Sequence, residues 1–287
     1  FRVERVYMLL TLALWAGSPK SWTKNRVNYG VGLLAASILI SAALSPYEGL
    51  SSIAVENWLK VALFYVLLMT SVRSLAELKI VVVAFVAIIG LYELHSLREY
   101  SCGRGVFRMG IWRMIGVDVA MADPNTFAAS AIYGLPLLLA VWQLATTRWL
   151  KRLVWLLFGL GLLCIVLTGS RTAFLAITVS SFVLLMKSAK RWRYLCLLLV
   201  CGAAVWMSLP DSLKDRYLTI VDPSRGPANA EVSAQSREQF FIMAIEIWQE
   251  SPLFGVGPRG FAYASGTGVQ SHSLYAETLS ELGILGA

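Results

Sequence analysis

Residues 148–187 read RWLKRLVWLLFGLGLLCIVLTGSRTAFLAITVSSFVLLMK, and this stretch decides the fold class. It contains two apolar blocks, 153–167 and 172–186, joined by a short turn and flanked by basic residues. Barrel strands would show short segments of alternating polarity, and other lipid-exposed backbones would lack hydrogen-bond partners. The stretch therefore predicts two membrane-spanning helices.

The rest of the chain continues this pattern. Of its 287 residues, 57% are hydrophobic and 15% are charged, and the mean hydropathy of +0.65 lies outside the range of soluble domains. Six further apolar blocks are 6–16, 28–44, 57–72, 78–92, 127–146 and 194–209. We predict an all-α, polytopic transmembrane helix bundle of about eight spans over residues 1–209. Because the chain does not begin with Met and residues 284–287 read as the start of a next span, we expect a fragment that lacks terminal spans.

The basic residues are concentrated in alternate connectors. Segments 17–27, 73–79, 147–152 and 187–193 together contain twelve basic residues and one acidic residue. The positive-inside rule places these connectors in the cytoplasm, and it places 45–56, 93–126, 168–171 and 210–283 outside. The net charge of +8 is therefore mostly an orientation signal, and nucleic acid is not an expected partner.

The segment 210–283 has a helical pattern of its own. We predict one helix that begins after Ser236, with Gln239 at the capping-box position, and a second helix from about Ser271 to Glu281 with Gly283 as its C-cap. One face of the first helix would be apolar and would comprise Phe240, Phe241, Ala244, Ile245 and Trp248. The two helices bracket a glycine-rich stretch, an arrangement that favours a cap over a functional site.

The glycine-rich stretch GVGPRG (255–260) matches the G-x-G-x-x-G pattern in its letters only. A dinucleotide-binding loop follows a strand and opens a helix, whereas here a helix comes first and Pro258 lies inside the motif. We expect an ordinary surface loop. The alternative is a flexible loop whose backbone amides and Arg259 face an anion.

Arg171 opens an apolar block directly after the turn. The fifteen residues between Arg171 and Lys187 would extend about 23 Å as a helix, less than the roughly 30 Å of a hydrocarbon core, so the turn would lie below the outer surface. One interpretation is an arginine that snorkels to the lipid headgroups. The other is a phosphate site, because a guanidinium is always charged and binds phosphate through paired hydrogen bonds.

Two further residues are candidates for chemistry. Arg237 falls in the first turn of the predicted helix, where a cation opposes the helix dipole, so it is either a solvated arginine or the neighbour of an anion. His272 is either a loop histidine or a general acid or base. The only other histidine, His95, is far away in sequence, so no metal site is expected.

Two absences narrow the class of protein. The four cysteines form no C-x-x-C pair, which argues against a disulfide framework and a thiolate zinc site. No Asp, Glu, Lys or Arg lies in the middle of an apolar block, and ion-coupled transporters usually carry such residues. A polysaccharide or lipid transporter and a purely structural assembly partner are therefore the weaker alternatives.

Four motifs in this order resemble those of the O-antigen ligase and O-antigen polymerase superfamily. They are DPNTFA (123–128), the S-R that opens a span at Arg171, W-x₃-P-x-x-G-x-G (248–257) and H-S-x-Y-x₃-L-x-E-L-G-I-x-G (272–286). The large loop with an early arginine, Arg237, completes the likeness, which covers residues 123–287. Ser273 is a departure, since the superfamily often has Asn after this histidine.

The resemblance implies a GT-C-like membrane glycosyltransferase in the bacterial inner membrane, with a catalytic loop at 210–283 on the outer face. Such enzymes move a glycan from an undecaprenyl-pyrophosphate donor to an acceptor hydroxyl, without a metal or another cofactor. Ligases use a lipid A core sugar as acceptor, and polymerases of O-antigen or exopolysaccharide use another glycan. The superfamily's functional residues map onto Arg171, Arg237 and His272, and we expect Arg259 to contribute to substrate binding.

Overall fold

The computed structural model describes residues 3–22, 24–108, 110–222, 229–271 and 273–287, without the side chains of 3–5 and 229–237. Eight long helices come first: α1 (Val3–Gly17), α2 (Arg26–Leu44), α3 (Glu48–Ser71), α4 (Leu75–Ser101), α5 (Pro124–Leu144), α6 (Arg148–Leu167), α7 (Arg171–Lys187) and α8 (Arg191–Ser208). They are followed by α9 (Asp211–Leu218), α10 (Asn229–Glu250), α11 (Phe261–Ala264) and α12 (Leu274–Leu282). Between α4 and α5, strands β1 (Val106–Arg108) and β2 (Ile111–Arg113) form an antiparallel hairpin.

The prediction of an all-α polytopic protein is confirmed, and each of the eight apolar blocks corresponds to one of the helices α1–α8. Among the described residues, α2 to α6 are long and apolar enough to cross a membrane. The other three are shorter, with 15 residues in α1, 17 in α7 and 18 in α8. A multi-pass membrane protein is therefore established, while the count of eight spans and the division at residue 209 stay predictions.

Helix α4 extends beyond the predicted block 78–92 and ends only at Ser101. As a result Glu93 lies inside an apolar helix with 3% of its surface exposed, although no Asp, Glu, Lys or Arg lies in the middle of the predicted apolar blocks. The carboxylate lies against α6 at Gly161, where an added Cβ atom would be 3.4 Å from Oε1. A carboxyl group is tolerated in this helix because it faces a glycine of a neighbouring helix rather than lipid.

Contacts divide the chain into two compact units. The first comprises residues 78–231, and its apolar core lies between α5, α6 and α7. Small side chains on α5 let these helices approach closely, since Ala128 and Ala131 are fully buried there. Asp123 sets the start of α5 by accepting hydrogen bonds from the amides of Asn125 (2.8 Å) and Thr126 (3.1 Å), with Pro124 as the first helical residue.

The second unit comprises residues 1–77 and 232–287. Here α12 lies against α2, and a small core joins α10, α11 and α12 through four buried side chains: Ala244, Ile247, Phe261 and Ala276. Ser273 caps α12 and Gly283 ends it, so this helix is close to the predicted one. The unit therefore carries the glycine-rich stretch between two packed helices.

The prediction for α10 was wrong about where the helix begins and partly right about its buried face. The helix begins at Asn229, not after Ser236, because residues 229–235 are mostly good helix formers and nothing stops the helix there. The face that packs against the rest of the unit includes the predicted Phe240 and Ala244 together with Met243 and Ile247, whereas the predicted Phe241 is 46% exposed. Hydrophobic residues surround this helix, so the sequence pattern identified only part of the buried face.

Hydrogen bonds connect the stretch GVGPRG to α2, α3 and α12. Hydroxyl groups at the ends of α2 and α3 hold its carbonyls: Ser45 Oγ donates to Val256 O (2.8 Å) and Ser51 Oγ to Pro258 O (3.3 Å). The amide of Gly257 donates to Glu281 O at 3.0 Å. Gly257 has a φ of +98°, and an added Cβ would lie 2.1 Å from Ser45 Oγ, so only glycine fits here.

We predict that Gly257→Ala destabilises the protein far more than Gly268→Ala. Both glycines have positive φ, which costs alanine about 1–2 kcal/mol, but a Cβ at Gly268 meets nothing within 4 Å. The clash at Gly257 adds about 1–3 kcal/mol. Denaturant titration of both purified variants in detergent micelles measures the difference, and equal losses would show that the contact with Ser45 does not hold the loop.

Candidate functional site

The TGSR turn between α6 and α7 is buried within the first unit. Thr168 and Ser170 are at most 1% exposed, and Ser170 Oγ caps α7 by accepting from Ala173 N at 3.4 Å. Gly169 supplies the positive φ that the turn needs, and its Cα faces Ile111 and Leu213 so closely that a Cβ would lie 2.7 Å from the Ile111 side chain. The hairpin and α9 therefore pack directly on this turn.

Arg171 is the first residue of α7 and is half-buried. Its Nη1 atom donates to Thr219 Oγ1 at 3.1 Å, and the same hydroxyl donates to Arg216 O at 2.7 Å. The positive end of the α7 dipole lies at Arg171, which makes a cation unfavourable there unless an anion is near. The sequence alone already makes Arg171 a candidate phosphate-binding residue.

A second arginine, Arg113 on β2, is 1% exposed. Its Nε atom donates to Thr168 O at 2.6 Å, and its Nη2 atom donates to Asn125 Oδ1 at 3.0 Å. Both acceptors are neutral, so they satisfy the N–H groups without compensating the charge. Burial lowers the pKa of Arg113, and the nearby carboxylate of Asp123 opposes that effect.

The third arginine, Arg216, comes from α9 and is 8% exposed. Its Nε atom reaches Gly169 O at 3.5 Å, the limit of a hydrogen bond, and its Nη1 atom is buried without a hydrogen-bond partner among the described residues. Burial lowers the pKa of Arg216 to about 10, and repulsion from Arg113 and Arg171 acts in the same direction. The guanidinium is still charged at neutral pH.

No carboxylate among the described residues forms an ion pair with any of these three arginines. Asp123, whose charge acts on Arg113, pairs with Arg108 at 3.1 Å and also caps α5. Tyr217 adds no negative charge, because burial raises its pKa to about 12. The turn is therefore surrounded by three cations whose charge the described part of the protein does not balance.

The second unit has a groove of about 210 Å³ where Arg259 lies. Trp58 of α3 and Glu277 of α12 line the same groove. Arg259 has a φ of +63°, and its amide donates to Glu281 Oε2 at 2.8 Å, while Phe261 N donates to Oε1 at 3.2 Å. Because the amides of Gly257, Arg259 and Phe261 are used in this way, the alternative of an anion held by the loop's backbone is not supported.

The predicted site residues do not all lie in the same unit. Arg171 lies in the first unit, whereas Arg237 and Arg259 belong to the second. Arg237 is within α10, but its side chain is outside the described part, and His272 is outside the described residues altogether. Sequence reasoning missed Arg113 and Arg216. For Arg216 a signal existed, because Leu213, Arg216 and Tyr217 share one helical face and two of them are apolar.

None of the described residues form a group of three or more His, Cys, Asp or Glu side chains close enough to hold a metal ion. The side chains around the TGSR turn are guanidinium, hydroxyl and amide groups, which suit an anion better than a cation.

The five long apolar helices define the chain as a multi-pass membrane protein. Its residues 156–287 match the family described as O-antigen ligase, which confirms over those residues the superfamily predicted from the motifs. The family that these residues match implies a glycan-transferring enzyme of the ligase or polymerase kind, with a glycan or lipid-linked substrate. No curated protein and no solved structure matches it. The matched segment includes Arg171 and Arg216, but it begins after Arg113 and does not include that residue.

Proposed function

We propose that this protein transfers a glycan from an undecaprenyl-pyrophosphate donor to an acceptor hydroxyl on the outer face of the bacterial inner membrane. The observation that carries the proposal is the unbalanced positive charge around the TGSR turn, within the segment that matches the O-antigen ligase family. A pyrophosphate group supplies the missing negative charge. Guanidinium groups in a water-poor site can stabilise it without a metal ion.

In the proposed reaction the acceptor oxygen attacks the anomeric carbon of the donor's first sugar. The bond from that carbon to the phosphate oxygen breaks, and undecaprenyl pyrophosphate leaves with the bonding electron pair. Arg171 stabilises the charge that develops on the leaving oxygen, and Arg237 is assigned the same role on the basis of the superfamily resemblance. His272 accepts the proton of the acceptor hydroxyl, because an imidazole has a pKa near neutrality.

Arg259 is proposed to bind substrate in the groove that it shares with Trp58 and Glu277. An indole ring offers a flat apolar surface to a sugar, and the charged groups beside it offer hydrogen bonds to hydroxyl groups. The acceptor is a lipid A core sugar if the protein is a ligase. It is the end of another glycan if the protein is a polymerase of O-antigen or exopolysaccharide.

A transporter of polysaccharide or lipid is the alternative from another class. The lack of charged residues in the middle of the apolar blocks does not count against a transporter, because α4 contains a buried carboxyl group, Glu93. What favours transfer is the match to a family of ligases, together with the concentration of cations at one turn rather than along a path.

The proposed orientation can be tested with Cys102, which is exposed and lies in the segment 93–126 that we predict to be outside. In a variant without the other three cysteines, Cys102 should react with an impermeant maleimide in intact spheroplasts. The matched control is Ser188→Cys in the basic connector of a cysteine-free chain, which should react only after lysis. Labelling in the reverse order would contradict the orientation.

We predict that Arg171→Lys lowers the rate of glycan transfer by at least about a hundredfold while the protein inserts and folds normally. An ammonium keeps the charge but cannot form the paired hydrogen bonds of a guanidinium. The control is Arg148→Lys, which replaces an exposed arginine at the start of α6 and should change the rate less than about twofold. The measurement is the initial rate with purified lipid-linked donor. Near-normal transfer by Arg171→Lys would make Arg171 a headgroup anchor.

We predict that His272→Ala abolishes transfer but leaves donor binding within about threefold of the original protein, because the arginines hold the pyrophosphate and the histidine acts only on the acceptor. Donor affinity is measured by titration of the lipid-linked glycan, and transfer is measured in the same preparation. His95→Ala is the matched control, since it removes the other histidine, and it should leave transfer unchanged. Loss of donor affinity in a folded His272→Ala protein would assign the histidine to donor recognition instead.

A further inference from the structure

The Nη1 group of Arg216 is a hydrogen-bond donor that the described part of the protein does not use. Leaving a buried charged donor without an acceptor costs free energy, and natural proteins rarely retain such a group unless a ligand or water satisfies it. The remaining contact of the guanidinium, from Nε to Gly169 O, is long at 3.5 Å. Capping the end of α6 therefore does not account for an arginine at this position, since a neutral donor would serve that role as well.

The charge around Arg216 requires a counterion. Arg113 and Arg171 both repel it, and the described residues provide no carboxylate partner for any of the three guanidinium groups. Burying unpaired like charges in a low-dielectric environment is costly. A bound dianion with several acceptor oxygens removes both the repulsion and the unused donor at once.

We infer that Arg216 is a phosphate-binding residue, whose Nη1 group donates to a phosphate of the donor's pyrophosphate beside Arg171. The inference rests on the proposed function, because it assigns Arg216 to the pyrophosphate end of the lipid-linked donor. Thr219 sets the relative positions of the two arginines, since its hydroxyl accepts from Arg171 Nη1 and donates to Arg216 O. Arg113 holds the turn through Thr168 O and adds positive charge.

The surroundings fit a phosphate that is attached to a lipid. The rings of Phe174 on α7 and Tyr217 on α9 pack with their centroids 4.8 Å apart next to the arginines. Phe174 is 39% exposed and continues into the apolar surface of α7. The first isoprene units of a polyprenyl chain can lie on this surface while the phosphate lies at the turn.

The first measurement is the binding of inorganic pyrophosphate to the full chain in detergent micelles at about 0.15 M salt. Because a ligand that binds the folded state raises its apparent stability, pyrophosphate should raise the melting temperature of the original protein more than sulfate at equal ionic strength. Arg216→Gln should weaken pyrophosphate binding at least about tenfold. Lys214→Gln removes a cation from the same helix and should change the affinity less than about twofold.

The melting temperature without pyrophosphate separates ligand binding from a structural role. If Arg216 serves a ligand, Arg216→Gln should melt at the same or a higher temperature than the original protein, because a repelled, buried charge is removed. If Arg216 only caps α6, the variant should melt lower and keep its affinity, which would overturn the inference. Arg216→Lys retains the charge and should bind pyrophosphate with intermediate affinity. If pyrophosphate does not raise the melting temperature of the original protein, the inference fails whatever the variants do.

Kinetics then distinguish this inference from the proposed function. Arg216→Gln should raise the KM for the lipid-linked donor at least about tenfold and leave the KM for the acceptor unchanged. If the original protein transfers glycan but the variant keeps both its pyrophosphate affinity and its donor KM, only the assignment of Arg216 fails. If the original protein transfers no glycan but binds pyrophosphate through Arg216, the proposed function fails and with it the identity of the donor, while Arg216 remains a phosphate-binding residue. Stabilisation by phosphatidylglycerol micelles that depends on Arg216, without any effect of pyrophosphate, would identify a membrane headgroup as the ligand and overturn the inference.

Discussion

Four consecutive carbonyl groups at the end of α6, those of residues 166–169, each accept a hydrogen bond from a distant part of the chain. The donors are Tyr217 OH to Val166 O (2.9 Å), Met114 N to Leu167 O (3.0 Å), Arg113 Nε to Thr168 O (2.6 Å) and Arg216 Nε to Gly169 O (3.5 Å). The last carbonyls of a helix have no partner within the helix, and buried ones must find partners elsewhere. This requirement draws the hairpin and α9 onto the TGSR turn and so assembles the cluster of arginines.

The same turn joins two helix ends of opposite polarity. Cations are favourable at the C-terminal end of α6, where Arg113 and Arg216 donate to carbonyls, but they are unfavourable at the N-terminal end of α7, where Arg171 lies. The hydrogen bonds that satisfy the carbonyl groups of α6 therefore bring positive charge to the N-terminal end of α7. An anion at the start of α7 relieves the conflict because it interacts favourably with the dipole and with the guanidinium groups. The preference for an anion follows from backbone geometry as well as from the side chains.

Much of this architecture could be predicted from sequence, because it depends on local pattern. The apolar blocks, the short turn before Arg171 and the stop at Gly283 are features of neighbouring residues. What the sequence did not reveal depends on residues that are far apart. Glu93 is buried because it faces Gly161, and Arg113 is buried because it reaches Thr168, fifty-five positions further along the chain. No periodicity within α4 or the hairpin contains that information.

The motifs that led to the superfamily do not all have the same physical role. In the glycine-rich stretch and in E-L-G, the contacts explain the residue types by packing alone: Gly257 lies against Ser45, and the Glu281 carboxylate accepts the amides of Arg259 and Phe261. Arg171 differs from these, because one hydrogen bond to a threonine hydroxyl does not require a guanidinium. Where packing accounts for a motif residue, its type need not be explained by chemistry, and where packing fails to account for it, a ligand is the remaining physical reason. By that criterion the chemistry of this protein is to be sought at the TGSR turn rather than in the glycine loop.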